Sequence, residues 1–300
     1  FFQVSIPPDR GSGAFYVSPS GKIQGEDVFP IAQRNSVAFL QAPNLQDFKF
    51  LTHAFCTRRG GVSEGPFASL NVTAAQGDDP VRVEENWNIL SRSFGITLRS
   101  FLVLDQVHGD EVLVVREDLS SAPDRDEPAC DACVTGLPGV ALCIKTADCV
   151  PVFLLDPCRQ VVGAIHAGWG GTALKIAARV VDVMVREFQC RPADILAAIG
   201  PSIGPCCYEV DGRVYRAMNH HSGSERFFRS RSHFERWNLD LPQANFHQLL
   251  EKGLQGNHVA LSGHCTCCNP DLFFSHRRER GHTGRHVNFI MLNKVETHGI

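Results

Sequence analysis

Apolar residues return at helical spacing in three parts of the chain. Val83, Trp87, Leu90 and Phe94 share one face, and Gly95 follows as a stop signal, so a helix is expected there. A longer helix is expected from about Ala173 to Phe188. Leu174, Ala177, Val181, Val185 and Phe188 form its stripe, and Thr172 is its candidate cap. A third helix should cover roughly Pro242 to Leu254. Runs rich in Val, Ile, Leu and Phe predict strands at 101–104, 112–115, 140–145, 150–155, 161–166, 195–199, 272–275 and 286–292.

The order of these elements decides the fold class. Strands 140–145, 150–155 and 161–166 follow one another with links too short for crossover helices, so they are expected to be antiparallel neighbours. A helix comes only afterwards. This argues against a doubly wound dinucleotide fold and predicts an α+β domain, with mixed, largely antiparallel sheets flanked by helices. Residues 1–48 lack periodicity and are rich in turn formers, as in Pro7-Pro8 and Gly11-Ser12-Gly13. They read as an N-terminal extension on a single domain, 49–300. Residues 120–128 read as an exposed loop.

Composition narrows the function classes. The chain has 300 residues, 43% hydrophobic and 20% charged, which suits a globular protein with a real core. A net charge of −3 gives no basic field for nucleic acid. No run of 18 apolar residues suggests a membrane helix, and the start shows no basic region followed by an apolar stretch, so a cytoplasmic chain without a signal peptide is expected. The twelve cysteines include the neighbours Cys206-Cys207 and Cys267-Cys268, awkward for ordinary bridges. They read as mostly free thiols in a reducing compartment.

The candidate chemistry centres on one hairpin. If residues 156–159 form a four-residue turn, Leu155 pairs with Gln160, and Cys149 falls directly opposite His166. Opposite positions lie about 4.5–5.5 Å apart at Cβ, which suits two ligands of one tetrahedral metal. His108, in Asp105-Gln106-Val107-His108-Gly109 at the exit of strand 101–104, is the candidate third ligand. Any one of these histidines could equally be an ordinary hydrogen-bonded or surface imidazole, and spacing alone leaves the trio open.

A series of ordered motifs adds weight. Thr57-Arg58-Arg59-Gly60-Gly61-Val62-Ser63, Ser69-Leu70-Asn71, Gly77-Asp78-Asp79, Gln106-Val107-His108-Gly109, Thr146-Ala147-Asp148-Cys149 and His166-Ala167-Gly168-Trp169 occur in that order. Ile199-Gly200-Pro201-Ser202-Ile203, Cys206-Cys207-Tyr208-Glu209-Val210 and Phe273-Phe274-Ser275-His276-Arg277-Arg278 follow. Over roughly residues 50 to 292 the chain resembles the purine nucleoside phosphorylase family of laccase-domain proteins, formerly called multicopper polyphenol oxidases. The resemblance implies zinc on His108, Cys149 and His166. It also implies phosphorolysis of adenosine, inosine, guanosine and methylthioadenosine, with adenosine deamination, so purine nucleoside and phosphate are the expected partners.

Within that resemblance, Arg58 is the first candidate for holding phosphate, with Ser69, Asn71 and Arg277 as further substrate contacts and Asp148 as a proton carrier. For these the alternatives are a loop salt bridge, turn and cap hydrogen bonds, and support of a neighbouring ligand. The glycines after His166, leading into a helix near Ala173, offer an anion-binding helix start. One departure stands out: Gly170 occupies the position where the family usually has arginine. If that arginine holds phosphate or a substrate oxygen, weak phosphorolysis with metal binding kept is expected.

Two other functions fit parts of the pattern. A copper polyphenol oxidase would need several His-x-His pairs to build its cluster, and the thirteen histidines supply none. A site of two histidines and one cysteine can still take copper, which stands as the alternative metal to zinc. A peptidoglycan-precursor editing hydrolase of amidase type would use Cys149 as a nucleophile. Cys130-x-x-Cys133 with Cys265-x-Cys267-Cys268 departs from the spacing of a paired zinc ribbon, and Cys206-Cys207 reads as a tight turn after Pro205. His220-His221 reads as solvated.

Overall fold

The computed structural model describes residues 28–117, 127–219, 223–230 and 235–294. Most of the expected 120–128 loop, His220-His221 and residues 1–27 lie outside them. Among the described residues fifteen strands form: β1 (Ile31–Arg34), β2 (Val37–Leu40), β3 (Leu51–Cys56), β4 (Phe101–Val103), β5 (Val112–Val115), β6 (Ala132–Thr135), β7 (Ala141–Thr146), β8 (Val150–Asp156), β9 (Val161–Ala167), β10 (Leu196–Ile199), β11 (Glu209–Asp211), β12 (Phe228–Ser230), β13 (Arg236–Leu239), β14 (Val259–Leu261) and β15 (His286–Leu292). Five α-helices accompany them: α1 (Pro80–Phe94), α2 (Trp169–Ala173), α3 (Ile176–Phe188), α4 (Gly212–Met218) and α5 (Leu241–Glu251).

Two six-stranded sheets carry the fold, ordered β1-β2-β3-β15-β7-β4 and β14-β10-β8-β9-β6-β5, beside a small sheet β11-β13-β12. Nine strand pairs are antiparallel and three parallel, as an α+β fold with mixed sheets requires. Residues 31–40, part of the expected extension, form the β1–β2 edge of the first sheet.

Alternation along the strands explains the layering. On β8, Val150, Val152 and Leu154 join a core that includes α3 and α5, while Phe153 and Leu155 join the core between the sheets. On β15, Ile290 and Leu292 face that same inner core, whereas Val287 and Phe289 pack with Leu90 and Phe94 of α1. Strands covered on both faces read as continuous apolar runs, and the result is helix, sheet, sheet, helix. Phe55 stacks on Phe153 between the sheets, centroids 4.4 Å apart. Any Cβ at Gly200 would meet the Phe55 ring at 2.3 Å.

Helix α1 is bounded as its pattern implies. Asp79 caps it through Val81 N, and Gly95 ends it in the left-handed region at φ 65°. The expected 173–188 helix is instead two: α2 stops at Ala173, Lys175 turns left-handed at φ 61°, and α3 begins at Ile176. Thr172 is therefore no cap. It is buried within α2, its Oγ1 accepting from Asn245 Nδ2 and its carbonyl from Gln248 Nε2.

Three strand expectations change. β7 and β8 are not neighbours, because the chain leaves the first sheet after Thr146 and enters the second at Val150, turning through Asp148 at φ 94°. β8 and β9 do pair antiparallel, but Asp156 opposes Val161 and Pro151 opposes His166. The loop is 157–160, with Asp156 Oδ1 accepting from Cys158 N and Arg159 N, so Cys149 lies beyond the pair it was expected to join. Residues 272–275 form no strand; Leu272 N and Phe273 N turn back to Asn269 O, and Phe273 plugs the inner core.

Candidate metal centre and cleft

The site forms at one edge of both sheets. β4 and β7 are parallel neighbours, so both exit there, and the Gln106 amide locks the two exits by donating to Lys145 O and accepting from Lys145 N. The first exit leads to His108 and the second to Cys149. β9 ends nearby with His166, antiparallel to β8. The ligand atoms of His108, Cys149 and His166 all lie within 4.8 Å of one another. Cys149 Sγ is 3.9 Å from His108 Nε2, and the two imidazoles meet edge to face at 4.9 Å.

Asp131, not singled out from the sequence, organises two of the three. β6 pairs with β9 so that Ala132 opposes Ile165, and Asp131 therefore sits across from His166. His166 N donates to Asp131 O, and the Asp131 carboxylate lies 2.7 Å from His166 Nδ1. That contact leaves Nε2 to face Cys149. The same carboxylate accepts from the backbone N–H groups of Val107, His108 and Gly109, a cup of three successive donors that fits the left-handed φ of 62° at His108. Burial of Asp131 alone would raise its pKa. The hydrogen bonds from His166 and the Gly109 and His108 amides outweigh it and hold the carboxyl below its ordinary value.

The thiol and imidazole are polarised against each other. Burial opposes the charged form of each, but His166 and His108 bring Cys149 down to about 6, while Cys149 and Asp131 bring His166 up to about 9. A thiolate beside two imidazoles is the donor set that soft and borderline metals select, and the spacing fits one tetrahedral ion. Gly168 makes room for it: a Cβ there would stand 3.0 Å from His108 Cδ2 and 3.2 Å from Cys149 Sγ.

A cleft of about 600 Å³ opens over the trio, with Trp169, Tyr208, Lys145, His276, Arg277 and Arg285 among its lining. Arg277 donates through Nη1 to Glu209 O and lies over the Tyr208 ring, and Arg285 Nη1 donates to Thr283 O and Gly284 O. Both cations are thus held by neutral carbonyls. Lys145 is paired with Glu127 at 2.7 Å. Gly170 lies against the same loop; a Cβ there would meet His108 O at 3.0 Å.

The other candidates occupy different places. Asp148 borders the cleft, but its oxygens are engaged with Thr266 Oγ1, Ser275 Oγ and Arg277 N. Arg58 does not line the cleft: it donates to Ala68 O and Pro270 O and lies over the Phe274 ring. Ser69 Oγ accepts from Gly60 N and Gly61 N and donates to Arg58 O. Asn71 is buried, and its Oδ1 accepts from Arg285 N, which fixes the backbone of a cleft arginine. Asp131 and Arg285 escaped the sequence reading. The only local signal for Asp131 is a carboxylate opening an apolar strand, and Arg285 has none.

Comparison with known proteins places this two-sheet α+β sandwich among the laccase-domain proteins. The chain belongs to their family, described as multi-copper polyphenol oxidoreductase laccase, which it matches over residues 52–293. It is 40% identical over 239 residues to the purine nucleoside phosphorylase YlmD of Geobacillus stearothermophilus, covering 78% of this chain and 87% of that one. It is 42% identical over 257 residues to a purine nucleoside phosphorylase of Deinococcus radiodurans, covering 86% and 94%. The crystal structure of YlmD from Geobacillus stearothermophilus superposes with a TM-score of 0.81 at 36% identity, covering 90% of this chain and all of that one. No helix among the described residues is long and apolar enough to cross a membrane.

Proposed function

We propose that the chain is a zinc-dependent purine nucleoside phosphorylase with adenosine deaminase activity. The observation that carries this reading is the convergence of His108, Cys149 and His166 beneath a cleft bordered by two arginines, in a chain whose relatives bear the phosphorylase name. Zinc held by these three residues would keep one open position, at which a water is acidified or a substrate oxygen polarised.

The protein's own groups supply the rest. Arg277 and Arg285 hold phosphate, since each guanidinium has five N–H donors and is anchored by neutral carbonyls. This assignment gives phosphate to a different wall from the position where Gly170 replaces the family arginine. Trp169 and Tyr208 offer aromatic faces for the purine. Burial raises the Tyr208 phenol well above its ordinary value, so it stays protonated and can donate a hydrogen bond to substrate. Asp131 fixes the tautomer of His166, and Asp148 sets the backbone of Arg277. Arg58, Ser69 and Asn71 frame the loops behind these groups.

Copper oxidase chemistry is less well supported. Among the described residues the other group able to hold a metal contains cysteines alone, so no second histidine cluster adjoins the trio. Incubation of the pure protein with adenosine and phosphate should yield adenine with ribose 1-phosphate, and inosine from deamination. Absence of all purine products from zinc-replete protein would defeat the proposal; phosphorolysis without inosine would remove the deaminase half.

A further inference from the structure

Away from the cleft floor, two irregular loops bring four thiols together. Cys206 and Cys207 follow Pro205 in a turn before β11, and Cys265 and Cys268 lie in the turn after β14. Their sulfurs all lie within 4.8 Å of one another. Cys268 Sγ stands 3.5 Å from Cys206 Sγ and 3.4 Å from Cys207 Sγ. None of the four is bonded to another, and Cys206 and Cys268 are exposed.

These spacings match one ion. Four sulfurs about 2.3 Å from a tetrahedral zinc lie roughly 3.8 Å apart, between the shorter distances seen here and the outer limit of the group. A multi-iron cluster would need the sulfurs spread wider. Cysteines that serve as small hydrophobes in this chain, such as Cys56, Cys133 and Cys143, are buried in the cores. Here Cys206 and Cys268 are exposed and Cys207 and Cys265 half-buried, which leaves an ion a way in from the surface. Cys265 Sγ also accepts from Gly204 N at 3.3 Å, and backbone donors of this kind disperse the negative charge of a tetrathiolate.

From this juxtaposition we propose a second metal site, a closed structural zinc centre on Cys206, Cys207, Cys265 and Cys268. It pairs neither Cys130 nor Cys133 with the later cysteines. Four protein ligands leave no open position, so its role is to tie loops, not to meet substrate. The tie is placed to matter: Tyr208 follows directly, Arg277 Nη1 donates to Glu209 O, and Arg278 Nη1 donates to Thr266 O and Cys267 O. The ion would therefore hold the cleft wall that carries Tyr208 and Arg277. This inference stands apart from the nucleoside reading.

Cobalt(II) is the probe, used on the full chain in reduced, metal-stripped form and in a Cys149→Ser background that removes the thiolate of the other site. One equivalent should bind with the intense visible and sulfur-to-cobalt bands of a tetrahedral tetrathiolate, and one equivalent of zinc should bleach them. Folded Cys149→Ser protein that lacks these bands would overturn the proposal. In the same background, Cys206→Ser with Cys268→Ser should abolish the bands, whereas Cys267→Ser should keep them. Retention in the double variant, or loss in folded Cys267→Ser protein, would overturn the assignment. The Cys149→Ser titration decides the matter even if the double variant fails to fold.

Discussion

The two walls of the cleft are built by different means. One carries His108, Cys149 and His166 on strand exits, and its buried carboxylate, Asp131, extends the β6–β9 ladder. The other, residues 264–285, contains no strand. It is pinned by single side chains: Asp148 receives Thr266, Ser275 and Arg277, Arg278 reaches three carbonyls, and His286 receives Phe274 N. A ladder repeats its restraint at every residue, whereas a pinned loop loses position with one bond. The first wall is suited to holding an ion in fixed geometry, and the second is the softer side of the cleft.

Asp131→Asn strikes the ladder-borne wall and should have the largest effect of any single substitution. An amide nitrogen cannot accept from the loop N–H groups, so chelator competition should show metal affinity falling about 10–100-fold. Urea unfolding should show a loss of about 3 kcal/mol. Wild-type metal affinity in this variant would mean that the imidazole needs no such partner.

Acid should act next, on the pinned wall through His286 and on the first sheet through His53. Burial lowers His286 from 6.5 to about 3 and His53 from 6.5 to about 4, and each accepts a backbone N–H through Nε2. The unfolded chain therefore protonates first. The stability these histidines contribute is complete above about pH 6.5 and is lost as pH falls toward 4 and then 3. Each pKa unit is worth about 1.4 kcal/mol, so urea midpoints should drop steeply across that window. A flat profile would show that neither histidine is held neutral.

Asp148→Asn should cost about 1–3 kcal/mol and raise KM for phosphate while metal content stays whole. Loss of metal in that variant would merge the two walls into one unit. Arg58→Lys should have the smallest effect, about 1 kcal/mol in stability with kcat/KM unchanged, because its fork and its contact with Phe274 only brace loops.

What could be read from sequence divides along the same line. α1 was legible because its stripe, cap and Gly95 are local. The β8–β9 pairing was legible too, but its register was not. The turn depends on Asp156 staying in the strand and on Gln160 taking a left-handed φ of 52°. Moving the register by one residue on each strand preserves the faces, so Cys149 and His166 still come together. The hop between sheets was hidden because Asp148 takes a positive φ with no glycine in the sequence to mark the turn. The apolar run at 272–274 misleads because Leu272 packs against the inner core, Phe273 fills it, and Phe274 is buried beside His286 under Arg58, with no ladder to join. Pairings across more than two hundred residues, such as Asn71 with Arg285, leave no local trace.

β15 lies between β3 and β7 in the middle of the first sheet, pairing Leu292 with Leu51. During synthesis β15 emerges after every other strand of that sheet, so its central slot is filled last. Until that strand arrives, β3 and β7 present unpaired edges to other nascent chains, and closing so long a loop is slow. The vulnerable period for this protein belongs to its birth, when chaperone supply and expression temperature will govern its yield.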